Sequence, residues 1–239
     1  MTALVDRTGA PVSGEDAERS TPWLRNSKLA VACFAIFAVL LVAQSLTGWR
    51  ERNNDAVTHH EATISYGEYL TTGHFYEATF ENWESEFLQM AAYVVLTIGL
   101  RQKGSAESKK LEGREKVDAD PRLVRDKKDA PWPVRRGGFV LTLYEHSLGI
   151  AFALLFLLSF VAHAMGGAAV YSHEQVLHGG DRVTALEYLG TSRLWFESFQ
   201  NWQSEFLAVG SIVVLSIFLR QRGSPESKPV AAPHAETGG

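Results

Sequence analysis

Four apolar stretches stand out from an otherwise polar chain. Residues 29–49 carry no charge over 21 positions, and residues 147–172 carry none over 26, with a single histidine at His163. Each is long enough to cross a bilayer as a helix, which takes about 20 residues. Two shorter runs, 87–100 and 206–219, hold 14 residues each. At ~1.5 Å per residue such a run reaches ~21 Å, short of a ~30 Å hydrocarbon layer. Their flanks favour spans nevertheless. Each ends in Arg-Gln followed by a cation and a glycine suited to a helix C-cap, and each is preceded by Phe80 and Trp83 or Phe199 and Trp202 at interface spacing. The pattern predicts an all-α integral membrane protein with four transmembrane helices at about 29–49, 80–101, 147–170 and 199–220. Short interfacial helices are expected in the two loops at 50–79 and 171–198, whose aromatic residues recur at near-helical spacing.

The second pattern is a duplication. Residues 82–109 read NWESEFLQMAAYVVLTIGLRQKGSAESK and residues 201–228 read NWQSEFLAVGSIVVLSIFLRQRGSPESK, with 18 of 28 positions identical at an offset of 119. The same offset pairs 68–70 with 187–189, His59 with His178, and the first long apolar run with the third. This partner lies mid-chain, so the first run reads as a span and not as a cleaved leader. Two tandem two-helix repeats result, at 28–104 and 139–223, flanked by a disordered N-terminus (1–27), a charged linker (105–138) and a disordered tail (224–239).

Charge orients the chain. Residues 101–136 hold twelve lysines and arginines, whereas 48–80 hold only Arg50 and Arg52, and 167–199 only Arg182 and Arg193. The positive-inside rule puts the linker and both termini in the cytoplasm. Two spans per repeat then leave both repeats facing the same way, about an axis along the membrane normal. Net charge is −4, which offers no basic surface for nucleic acid. The one cysteine, Cys33, excludes an internal disulfide and a cysteine metal motif.

Candidate chemistry sits at the start of spans two and four. Asn82, Ser85, Glu86 and Gln89 share one helix face, as do Asn201, Ser204 and Glu205. Ionisable residues within a span are costly and usually face a bundle interior. Three roles fit the two glutamates: a cation or proton site in a cleft between repeats, helix capping at headgroup level, or interhelical hydrogen bonding. Counting residues from the connector end puts His163 and Glu205 at ~22 and ~21 Å, so a His163–Glu205 pair is geometrically allowed, with Gln44–Glu86 as its counterpart, either to hold or relay a proton or simply to satisfy two buried polar groups. The candidate cleft is therefore Asn82, Ser85, Glu86, Asn201, Ser204, Glu205, Gln44 and His163. One buried histidine cannot support bis-histidine haem. The loop residues His59, His60, Glu61, His74, His173, Glu174 and His178 match no zinc spacing, so no metal or cofactor is expected. No nucleophile elbow, phosphate loop, zincin or dinucleotide motif occurs, and the chain reads as a non-enzyme.

The duplicated N-W-x-S-E-F-L…L-R-Q-[KR]-G-S-x-E-S-K, with E-Y-L upstream, resembles an uncharacterised bacterial family of small integral membrane proteins, a domain of unknown function. The resemblance covers about 29–228 and implies a multi-pass protein of the bacterial cytoplasmic membrane. It carries over no activity and no site residues. Three functional classes fit: a small transporter or channel-like protein with a polar cleft, expected to homo-oligomerise; an accessory protein that binds another membrane protein; and a membrane enzyme using the outer histidines and glutamates, which would need those side chains to converge on a pocket. The lipid bilayer is the partner in all three.

Overall fold

The structure, a computed structural model, describes residues 26–238. The expected disordered N-terminus thus lies almost wholly outside the described residues. The described chain is helical and contains no strand. It divides into two units, Met1–Tyr66 and Gly67–Gly239.

The first unit is built on α1 (Lys28–Thr58). The loop that follows folds back onto it. Asn53 both accepts from the Ile64 N–H (2.9 Å) and donates to the Ile64 carbonyl (2.9 Å), Trp49 Nε1 donates to the same carbonyl (2.8 Å), and the Ser45 and Tyr66 hydroxyls meet at 2.7 Å. Side chains on successive turns of α1 thereby satisfy a loop that has no ladder of its own.

In the second unit come α2 (Tyr66–Tyr69, begun at the end of the first), α3 (Gly73–Gly99), α4 (Trp132–Arg136), α5 (Gly138–Glu145), α6 (Ser147–Leu177), α7 (Ala185–Tyr188) and α8 (Ser192–Phe218). Thr72 and Thr191 begin α3 and α8, each hydroxyl accepting from the backbone N–H three residues on. A shift of 119 residues carries the bounds of α1, α2 and α3 onto those of α6, α7 and α8.

Helices α3 and α6 run antiparallel in the most extensive contact of the unit, from Gly73 beside Gly166 at one end to Val95 beside Gly149 at the other. Glycine makes the upper contact. A methyl at Gly166 would lie 2.5 Å from the Glu77 backbone nitrogen, one at Gly73 would lie 2.7 Å from the Gly166 carbonyl oxygen, and one at Gly167 would lie 2.6 Å from the Tyr188 ring. Removing side chains here lets two backbones touch, the usual device where lipid offers no hydrophobic drive. Helix α8 packs beside α3 and lines its rings along α6, with Phe156 against Trp202 (6.1 Å) and Phe160 against Trp195 (6.2 Å).

Three helices, α1, α6 and α8, are long and apolar enough to cross a membrane. The fourth expected span, α3, has the length of α8 but is not among them. Its first half carries Glu77, Glu81, Glu84 and Glu86, whereas the matching positions of α8 are Phe196, Gln200, Gln203 and Glu205.

The segments flanking the helices correct two expectations. The C-caps of α3 and α8 are Leu100 and Leu219, and the glycines expected there, Gly104 and Gly223, form turns further on, each at φ +86°. The arginines do the capping: Nη1 of Arg101 and of Arg220 each donates to three terminal carbonyls, and the next residue's N–H donates to the hydroxyl of Ser108 or Ser227. The C-terminal segment, expected to be loose, instead wraps Lys228. Its ammonium donates to the carbonyls of Pro233, His234 and Glu236 (3.2, 3.0 and 2.8 Å), and the segment is tied to the connector through Gly104 N–H to Thr237 (2.8 Å) and Gly238 N–H to Ser105 (2.9 Å). A buried ammonium needs such acceptors, and the free carbonyls of an irregular segment supply them.

Candidate functional site

The polar centre of the second unit lies where α3, α6 and α8 meet beneath α7. His163, on α6, has no exposed surface. Its Nδ1 lies 3.1 Å from Glu84 Oε2 on α3, and its Nε2 lies 3.4 Å from Glu197 Oε2 on α8. Nδ1 is hydrogen-bonded to Glu84, whereas Nε2 faces Glu197 without a hydrogen bond. Glu84 is equally buried, and its other oxygen accepts from the Ser198 hydroxyl at 2.8 Å. Glu197 accepts further from the Tyr188 hydroxyl (2.7 Å) and from Arg193 Nε (2.9 Å). The guanidinium of Arg193 also pairs with Glu174 on α6 and lies 3.7 Å from Glu77 on α3. Glu81, one turn from Glu77, accepts from the Asn201 amide.

The electrostatics follow from this layout. Burial pushes the Tyr188 hydroxyl well above the usual phenol range, and its bond to Glu197 pushes it further, so Tyr188 acts as a fixed donor. Two basic groups, His163 and Arg193, face five carboxylates: Glu77, Glu81, Glu84, Glu174 and Glu197. Among the described residues four buried side-chain polar atoms have no hydrogen-bond partner, and two of them, His163 Nε2 and Glu77 Oε1, face groups of this cluster. An excess of carboxylates over basic groups at a largely buried site is costly unless some of them are protonated or reach solvent.

Of the residues singled out from sequence, the structure draws His163 into the centre and Asn201 to its edge. Asn82, Ser85, Asn201 and Ser204 direct hydrogen bonds to backbone carbonyls three or four residues earlier in their own helices. Glu86 is exposed and Glu205 half-buried, with the Gln89 amide donating to the Glu205 backbone carbonyl at 3.2 Å. Gln44 lies on α1 in the other unit. The His163–Glu205 pair does not form. The ring contacts fix His163 at the level of Glu197, eight residues and ~12 Å from Glu205. Counting from the connector end assumed that the apolar runs of α6 and α8 start level, and they do not. The centre is instead completed by Glu84, Glu197, Ser198, Arg193, Glu77, Glu174 and Tyr188; of these, sequence reasoning weighed only Glu174, as a loop residue beside histidines, and counted Arg193 only for orientation. One signal was available: Glu77, Glu81 and Glu84 lie along one side of α3, as Arg193 and Glu197 do on α8.

The loop histidines do not converge. His59 pairs with Asp55 (3.4 Å), His74 meets the Tyr69 hydroxyl (3.1 Å), and His178 meets the Glu174 carbonyl (2.8 Å). Among the described residues no three His, Cys, Asp or Glu side chains are grouped to hold a metal ion.

Three membrane-length apolar helices, two of them packed around a largely buried ionic centre, define a helical membrane protein with internal charge. The chain belongs to the family described as a domain of unknown function, DUF6766, whose model matches residues 20–239. No curated protein and no solved structure matches it.

Proposed function

We propose that this is a four-span protein of the bacterial cytoplasmic membrane, with connector and termini inside, and that the His163 centre is the proton-binding part of a small transporter or channel-like protein. The carrying observation is His163 itself: fully buried, one ring nitrogen on Glu84 and the other facing Glu197. In the relay, the neutral ring starts with its proton on Nδ1; Nε2 accepts a proton from the Glu197 carboxyl while Nδ1 releases its own to the Glu84 carboxylate, which leaves the ring neutral in the Nε2–H tautomer and needs no redox partner. Helix α3 serves as the fourth span in this reading. Its antiparallel contact along α6 covers Glu84 completely and Glu77 nearly so, which keeps those two carboxylates from lipid, while Glu86 stays exposed. Two such halves form tandem repeats, and a bundle this small works as a homo-oligomer.

The test is proton flux in proteoliposomes under a pH gradient, comparing wild type with His163→Gln. Flux that falls to the lipid background in the variant, with the helical fold retained, supports the proposal. Equal flux in both, or none in either, overturns it. The absence of flux would favour a second reading, an accessory protein that docks another membrane protein through the exposed Phe196 and Phe199 rings beside the site.

A further inference from the structure

We infer that in the conformation of this structure His163 exchanges protons with only one side of the protein, the end bearing α7, and that an apolar seal closes the connector side until the helices rearrange. The inference rests on the proton role proposed above and adds its direction. Side-chain exposure falls in one sequence toward the histidine: Glu174 47%, Arg193 31%, Glu197 17%, His163 0%. Each step in that sequence is a contact. Arg193 Nη1 donates to Glu174, its Nε donates to Glu197 at 2.9 Å, and Glu197 faces His163 at 3.4 Å. The Arg193 guanidinium lies 5.7 Å from the centre of the Tyr171 ring, which holds it over the mouth of the path.

The opposite direction offers no such path along α6. Between Ser159 and Ser147 every side chain of α6 is apolar or absent. Rings fill that level: Phe87 on α3 against Phe152 (6.5 Å), and Phe156 against Trp202 on α8 (6.1 Å). The titratable and charged groups around His163 are Glu77, Glu81 and Glu84 from α3, Glu174 from α6, Tyr188 from α7, and Arg193 and Glu197 from α8. All of these lie level with His163 or toward the α7 end; on the connector side stands the half-buried Glu205 of α8, whose backbone carbonyl accepts from Gln89 of α3, and the Phe156–Trp202 layer lies between its level and that of His163. A proton entering from that end meets carboxylates throughout, whereas one entering from the connector must cross the aromatic layer.

The experiment sets the pH of the two sides separately in vesicles holding the protein in one orientation. Solid-state ¹⁵N spectra of labelled histidine report ring protonation, and His163→Gln identifies the His163 signal by difference. The expected result is that His163 follows the pH on the α7 side and ignores a change of about two pH units on the connector side. Phe156→Ala, or Phe152→Ala should the first fail to fold, is expected to make the signal respond to both sides. A wild-type signal that follows the connector side, or both sides alike, overturns the inference and leaves the proton role standing. A signal that follows neither overturns both.

Discussion

Set side by side in the shared register of 119 residues, the two halves of the chain agree in their frame and differ in their charge. The arginine-capped helix ends, the serine that receives the next N–H, and the threonine caps recur at matching positions with matching bonds. Even the loop tie recurs with a change of residue: Ile64 N–H to Asn53 in the first half, Val183 N–H to Ser172 in the second, at 2.9 and 3.0 Å. The ionic centre has no such counterpart. Where the second half has His163, Arg193 and Glu197, the first has Gln44, His74 and Ala78, and Glu84 of α3 is matched by Gln203. What is alike builds helices and turns; what is unlike builds the site.

The comparison breaks most severely when the second half is given the first half's residue. Glu197→Ala, the counterpart of Ala78, leaves Arg193, Tyr188 and His163 facing a gap. Breaking one partner of a buried pair costs about 3–5 kcal/mol, and reversible unfolding in detergent should show a loss of that size. Equality with wild type would mean that water enters and screens the centre.

A smaller loss tests the close approach of helix and ring. Gly167→Ala drives a methyl into Tyr188, where overpacking costs about 1–3 kcal/mol. The thermal midpoint should fall, and restoring it with Tyr188→Phe, which leaves the ring in place, would point to the hydroxyl and not the ring as the obstacle.

The smallest effect sharpens the comparison at a single backbone position. After α1, His60 holds φ 60°, and at the equivalent place after α6 stands Gly179 at φ 82°. A left-handed residue costs about 1–2 kcal/mol unless it is glycine. His60→Gly should therefore stabilise by up to about 1 kcal/mol and Gly179→Ala destabilise by a similar amount, both read by denaturant midpoint. Opposite signs are the diagnostic result.

The sequence made the helices legible because apolar runs and a duplicated motif each report on long stretches at once. It drew attention to glutamates that lie outside the His163 centre. Glu86 and Glu205 belong to the repeated motif and so stood out, yet identity between halves marks the frame. Glu84 and Glu197 stand at positions where the halves disagree and went unweighed. The partner of His163 depended on the axial slide of α8 along α6, which Phe156, Phe160, Trp195 and Trp202 set by packing and which no count from the helix ends could supply. The C-terminal segment looked featureless because its role is played by backbone carbonyls, which every sequence has.

That carbonyl cage around Lys228 bears on how the protein can be handled chemically. Reagents that acylate amines need an unprotonated, reachable nitrogen, and the Lys228 nitrogen spends its protons on three acceptors inside a closed turn. Under native conditions it should stay unlabelled while the linker lysines react. Its first appearance in a labelling profile would then mark the moment the chain end lets go, with no probe added to the molecule beforehand.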